Sequence, residues 1–155
     1  MRRALQSSFG RRAALLGVAA ALIAHAPVAR AEIEPKYYRQ WQERATEALV
    51  VRVTNVRSST SKQKHQSGEF TLVHTRVEAE AQVERVERTG TGLKQGDIIR
   101  IQYVSTTADQ PVTGPRPIPI LKRGESYPAF LLGVSKGVYA PAAKGASFEP
   151  LIKAQ

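Results

Sequence analysis

Thr75-Arg76-Val77-Glu78-Ala79-Glu80-Ala81-Gln82-Val83-Glu84-Arg85-Val86 is the stretch that decides how the chain folds. From Val73 to Val83 the odd positions carry Val, Thr, Val, Ala, Ala and Val. The even positions from His74 to Glu84 carry His, Arg, Glu, Glu, Gln and Glu. Successive side chains of a strand point to opposite faces, so a period of two this long predicts one strand over residues 70–88, with one dry and one wet face. Val86 follows Val83 by three positions, and this slip in phase predicts a bulge. Ala79 and Ala81 are small enough for the strand to curl closely over a core.

The flanks supply partners for that strand. Leu49-Val50-Val51-Arg52-Val53-Thr54-Asn55-Val56 is β-branched and reads as a strand. Residues 57–68, rich in Ser, Lys and Gln, read as a polar, mobile loop. The glycines of Gly90-Thr91-Gly92-Leu93-Lys94-Gln95-Gly96-Asp97 mark a turn-rich connector. Ile98 to Val104 then forms a strand with Ile99, Ile101 and Tyr103 on one face and Arg100 and Gln102 on the other, in a hairpin with residues 72–86. Pro111, Pro115, Pro117 and Pro119 exclude helix or central strand, and predict an extended loop over residues 105–120. Tyr127 to Val134 is a fourth strand. Residues 137–141 and 147–149 read as a short final hairpin around Lys144-Gly145. Before the first strand, residues 33–48 read as a helix opened by Pro35, with Ile33, Tyr37, Trp41, Ala45 and Ala48 on its packed face. The expected fold is mainly β: a five-stranded barrel or curled antiparallel sheet with an N-terminal helix.

Residues 1–31 have a different character. Arg2, Arg3, Arg11 and Arg12 precede an apolar run from Ala13 to Ala24, and Ala29-Arg30-Ala31 closes the segment with small residues where a signal peptidase cuts. This is the order of a cleavable secretory signal, too short in its apolar part to span a bilayer. Gly10-Arg11-Arg12-Ala13-Ala14-Leu15-Leu16-Gly17 resembles a twin-arginine signal, with Ala14 where Phe is more usual and no Lys after the leucines. Both the twin-arginine and the general export routes therefore stand open. The expected organisation is a signal peptide, 1–31, and one domain, 32–155, that is periplasmic or secreted and has no transmembrane anchor. The whole chain carries 23 basic and 13 acidic side chains, +10 net. The signal holds five arginines and no acid, which leaves an excess of +5 on the remainder. Half of the basicity thus belongs to the address label, and nucleic-acid binding is not expected.

The chemistry-bearing residues are sparse. The absence of Cys excludes disulfides, thiol catalysis, thiolate zinc sites and covalent haem attachment. Beyond the signal only His65 and His74 remain, and no second ligand lies near His65 to hold a metal. Ser126, His74 and Asp97 form no recognised nucleophile pattern, and Gly90-Thr91-Gly92 lacks the rest of a phosphate loop. No catalytic residue, metal site or cofactor is expected. Glu78, Glu80, Gln82 and Glu84 share one strand face. They offer either a solvated surface or, in a second reading, the carboxylates of a small cation-dependent hydrolase.

The order of elements resembles the OB-type barrel of the netrin-like group, related to tissue inhibitors of metalloproteinases. The residues that carry the resemblance are Ala48 to Val53, Thr75 to Val86, Leu93 to Ile101 with its Lys94-Gln95-Gly96 turn, and Gly124-Glu125-Ser126-Tyr127-Pro128-Ala129-Phe130-Leu131. The inhibitors chelate a protease zinc with an N-terminal Cys, and this chain has none, so that mechanism does not carry over. The resemblance implies an OB-like fold and a binding-module habit, and fold alone does not fix function. OB barrels bind on the outward face of strands two and three. By alternation that face presents His74, Arg76, Arg100 and Gln102, either as a binding surface or as ordinary solvated residues. The expected role is a non-enzymatic accessory module engaging another protein of the cell envelope. An oligosaccharide- or nucleic-acid-binding OB domain is the remaining alternative, weakened by the lack of an aromatic on that face. Protein recovered from the cell envelope is expected to begin at Glu32. Mass spectrometry that finds the exported chain still beginning at Met1 would overturn the signal-peptide reading.

Overall fold

A computed structural model describes residues 33–153. The signal segment lies outside the described residues. A helix, α1 (Pro35–Arg44), is followed by β1 (Glu47–Lys64), β2 (Thr71–Arg88), β3 (Ile98–Ala108), β4 (Ser126–Ser135) and β5 (Val138–Pro141), then a 3-10 turn at Lys144–Ala146. The five strands close into a barrel in the order β1-β2-β3-β5-β4, with β4 paired back onto β1. The protein is therefore mainly β with an OB-like barrel, as its patterning predicts. Among the described residues no helix is long and apolar enough to cross a membrane.

The alternation of β2 builds the core. Val77, Ala79, Ala81 and Val83 are buried. They pair across one side with β1 (Val77 with Ser58, Ala81 with Val53, Val83 with Val51) and across the other with Tyr103, Ile101 and Ile99 of β3. Leu49, Leu121, Leu131, Tyr139 and Phe148 complete this interior. The slip after Val83 is real. Val51 pairs with Val83 but Val50 pairs with Arg85, so Glu84 is the extra residue, and the register shifts again between Ala48 and Leu49. These shifts bend β2 round the barrel mouth. The short β5 runs parallel to β3 at Arg100 and Ile101 and antiparallel to β4, which closes the wall.

Four sequence expectations need correction. Residues 57–64 are not a loop: β1 continues to Lys64, held by β2 residues Glu78 to Thr71, and only the turn from His65 to Phe70 remains. Ser, Lys and Gln have no strong strand preference, but a long strand beside them supplies the ladder. Likewise β3 runs on to Ala108, because Leu72 to Thr75 offer it backbone partners. Residues 137–149 form no hairpin. Val138–Pro141 is used by β3 and β4, and the chain then turns at Lys144 (φ 47°) into the 3-10 turn.

The helix is the fourth correction. It ends at Arg44, and its buried side chains are Tyr38 and Gln42, while Tyr37 is exposed. The cause is what α1 packs against. Gln42 Nε2 donates to the carbonyls of Ala146 (2.8 Å), Glu149 and Pro150 (both 3.3 Å), and its Oε1 accepts the Ile152 N–H (2.9 Å). A buried amide so fully bonded is as good a core residue as an apolar one. Tyr38 packs with Ala143 and Ala146, flanked by Ile33, Trp41 and Ile152, in a second small core. Its Oη accepts the Arg116 N–H (2.8 Å), its ring lies 4.7 Å under the Arg116 guanidinium, and that guanidinium bonds both carboxylate oxygens of Glu149 (2.9 and 3.1 Å). Gly145 lies so close that a Cβ there would sit 2.6 Å from Arg116, and no larger residue fits.

The proline-rich segment is fastened to the inward row of β3. Tyr103 Oη donates to the Pro119 carbonyl (2.7 Å) and accepts the Leu121 N–H (3.2 Å), and Ser105 Oγ donates to the Ile118 carbonyl. Burial pushes the Tyr103 phenol up to about 12. Because the folded state holds this proton more tightly than the unfolded chain does, its contribution to stability is complete below pH 10 and declines as pH rises towards 12. Urea unfolding followed from pH 9 to pH 12 is expected to show that decline, and Tyr103→Phe is expected to flatten it. The register is tested separately. Val77→Asp is expected to unfold the domain by burying an unpaired charge, whereas Glu78→Ala is expected to change stability by about 0.5 kcal/mol or less in the same measurement.

Candidate functional site

Pairing through β2 lays the outward residues of three strands in rows. From the hairpin tip inward, the rows are Ser61–His74–Thr106, Ser59–Arg76–Val104, Arg57–Glu78–Gln102 and Asn55–Glu80–Arg100. His74, Arg76, Arg100 and Gln102 thus share one outer face. Arg76 and Arg100 are exposed, and His74 and Gln102 are partly covered. The His74 Nδ1 sits 3.0 Å from Thr106 Oγ1.

The same face holds the acidic row. Glu78 stands between Arg57 and Gln102, and Glu80 between Asn55 and Arg100. What the sequence offers as two separate candidate sites, one basic and one acidic, is a single surface of alternating sign. Arg57 and Asn55 are its residues that sequence reasoning missed. Arg57 was hidden in the stretch read as a loop, and only the length of the β1–β2 pairing brings it opposite Glu78. Glu84 leaves the pattern at the bulge. Arg52 Nε bonds it at 2.7 Å, and this bond, with a second from Ser126, holds its carboxyl below the usual range. Val104 stands within the face beside Arg76 and Ile98 at one end of it, both with exposed apolar side chains.

The charges of this face, like Lys62, Lys64 and Arg123 elsewhere on the surface, form no ion pair among the described residues. Elsewhere Arg39 pairs with Glu43 (2.6 Å), Arg52 with Glu84 (2.7 Å), Arg85 with Glu87 (2.8 Å) and Arg116 with Glu149 (2.9 Å). Arg57, Arg76, Glu78, Glu80 and Arg100 have no ion pair within 4 Å among the described residues. Three shallow depressions cover the face. One of about 250 Å³ is lined by Asn55, Arg57, Glu78, Glu80 and Arg100. One of about 260 Å³ lies between Arg76, Glu78 and Gln102, and one of about 230 Å³ lies beside His74 and Arg76. A cleft of about 480 Å³ lies at the far end of β3, between Leu72, Thr106 and the proline-rich segment. Its charged groups serve the fold: Asp109 Oδ1 accepts the Thr71 N–H (2.9 Å), and Arg116 bonds Glu149.

The remaining candidates do not converge. Ser126 bonds Glu84, Asp97 Oδ2 caps its own turn through the Lys94 N–H (2.8 Å), and His74 lies eight positions along β3 from Ile98, roughly 26 Å away. His65 stacks on Phe70 with ring centroids 4.3 Å apart and bonds Ser67, which makes it part of the hairpin turn. No cluster of three or more His, Asp or Glu able to hold a metal ion occurs among the described residues. Comparison of the chain with protein-family models, with curated proteins and with solved structures finds no match.

Proposed function

We propose that the protein is an exported, non-enzymatic binding module that engages another protein of the cell envelope through the outer face of β1, β2 and β3. The observation that carries the reading is the set of five charged side chains, Arg57, Arg76, Glu78, Glu80 and Arg100, held in register on a rigid sheet without partners of their own. Positioned charges of both signs give an interface its register and its selectivity. A partner with the complementary pattern completes the ion pairs that the fold leaves open, and Ile98 and Val104 give it apolar contact on the same face.

The mixed sign argues for a protein partner over the alternatives. Glu78 and Glu80 lie among the arginines, where they repel a phosphate backbone, and no Phe, Tyr or Trp stands in the four rows to stack a base or a sugar. A hydrolase using Glu78 and Glu80 would need a pocket that excludes water, and both side chains are exposed on an open surface. The resemblance to the netrin-like group and the signal-like residues 1–31 add a binding habit and an extracytoplasmic setting.

The test is capture of the envelope partner by two double variants. Arg76→Ala with Arg100→Ala is expected to weaken capture, by about 1–3 kcal/mol for each arginine that becomes desolvated and far less for one left at the rim. Raised salt is expected to weaken the unmodified complex in the same direction. Full retention by the arginine variant at low salt would overturn the proposed face. If Glu78→Gln with Glu80→Gln instead abolished a divalent-cation-dependent hydrolysis while leaving capture intact, the hydrolase reading would replace it.

A further inference from the structure

The barrel leaves one strand edge open. β4 covers β1 only from Glu47 to Arg52, and the last backbone contacts on that side are the Val53 N–H to the Glu125 carbonyl (2.9 Å) and the Gly124 N–H to the Val53 carbonyl (2.8 Å). From Thr54 to Lys64, β1 is paired with β2 alone among the described residues. Eleven extended residues make an edge roughly 35 Å long. The backbone phase along it follows from the turn. The His65 N–H bonds the Phe70 carbonyl (2.9 Å), and the Asp109 N–H bonds the Thr71 carbonyl (3.1 Å). Bonded and non-bonded pairs alternate in an antiparallel ladder. Gln63, Ser61, Ser59 and Arg57 therefore bond β2. Lys64, Lys62, Thr60, Ser58 and Val56 turn their N–H and C=O groups to the open side, in a register free of shifts from Asn55 to Lys64.

We propose that this edge accepts an extended acidic segment of a partner protein as an added strand. Charge decides the occupant. From Ala48 to Gly68 the chain carries Arg52, Arg57, Lys62 and Lys64 and no acid. Basic side chains on a free edge oppose pairing with a second copy of the same edge, and the same charges attract a strand of opposite sign. β1 already shows this preference on its paired side, where its neighbour β2 carries Glu78, Glu80 and Glu84. Lys62 and Lys64 lie on one face of the ribbon and Arg57 on the other, so an incoming strand with acids at alternate positions meets a cation whichever face those acids occupy. The proposal rests on reading the protein as a binding module and names the backbone mode by which it would hold an extended segment.

The probe is a fluorescent ten-residue peptide of alternating valine and glutamate, compared by anisotropy with one of alternating valine and lysine, using the full chain. The acidic peptide is expected to bind and the basic one not. Lys62→Glu with Lys64→Glu is expected to weaken the acidic peptide by roughly tenfold or more. Thr60→Pro removes an N–H that faces the open side and spares the β1–β2 ladder, so it is expected to abolish peptide binding while leaving the melting temperature nearly unchanged. In the unmodified protein, amide exchange is expected to slow on peptide addition at Val56, Ser58, Thr60, Lys62 and Lys64, a readout that does not depend on any variant. Equal binding of the two peptides, unchanged binding by Thr60→Pro, or no slowing at those five amides would each overturn the proposal. Sedimentation showing a dimer that Thr60→Pro dissolves would overturn it in favour of a second copy. Capture of the envelope partner that survives Thr60→Pro but is lost in the Arg76→Ala, Arg100→Ala variant would overturn the edge and leave the outer-face reading standing. The opposite result would overturn the outer face alone.

Discussion

Everything in this barrel leans on β2 as a shared strand. It pairs over nearly its whole length with β1 on one side and over eleven residues with β3 on the other, so its period of two is imposed on both neighbours. A register slip of one residue would drive Glu78 and Glu80 into the core and expose Val77 and Ala79. Two consequences follow from the one constraint. The inward row, small at Ala79 and Ala81, lets the sheet close. The outward row carries the charges of three strands into one surface with fixed spacing.

The barrel is completed by contacts that β2 does not make. Tyr103 and Ser105 hold the proline-rich segment against β3, and Arg116 ties that segment to α1 through Tyr38 and to the C-terminal stretch through Glu149. Prolines cannot donate backbone hydrogen bonds, so such a segment is ordered through its carbonyls and through side chains that reach them. The phenol of Tyr103 and the amide of Gln42 play the same part in different places: each is a buried polar group that serves backbone atoms far away in sequence. Without Cys, these bonds, the packing around Tyr38 and the Arg88 guanidinium on the Gln42 and Ala45 carbonyls hold the helix and the C-terminal stretch to the barrel.

The strands were legible wherever they alternate. Residues 70–88 and 98–104 announce themselves by period, and the bulge at Glu84 shows as a break in that period. The extensions were not legible. Arg57 to Lys64 and Ser105 to Ala108 are strands because a long neighbour offers them backbone partners, and their own composition suits a loop equally well. Of the expected helix face Trp41 does pack, but Tyr37 is exposed and Gln42 is buried, because a buried Gln looks like a surface residue until the carbonyls of Ala146, Glu149 and Pro150 are beside it. Of the candidate site, His74, Arg76, Arg100 and Gln102 follow from alternation alone. Arg57 and Asn55 do not, because their place depends on the extension and on the shift between Val53 and Asn55.

By itself the sequence determined that the chain is mainly β, that β2 has a dry row and a charged row, and that neither thiol chemistry nor a disulfide takes part. Those conclusions rest on local alternation and on composition, which need no partner to be read. Tertiary structure alone decided that the basic and acidic residues lie interleaved on one face, that they form no ion pairs there, and that β1 runs past its neighbour β4 and leaves an edge open. Each of these is a relation between strands. Register and edge exposure depend on which backbone lies beside which, and the local pattern of a single strand leaves that undetermined.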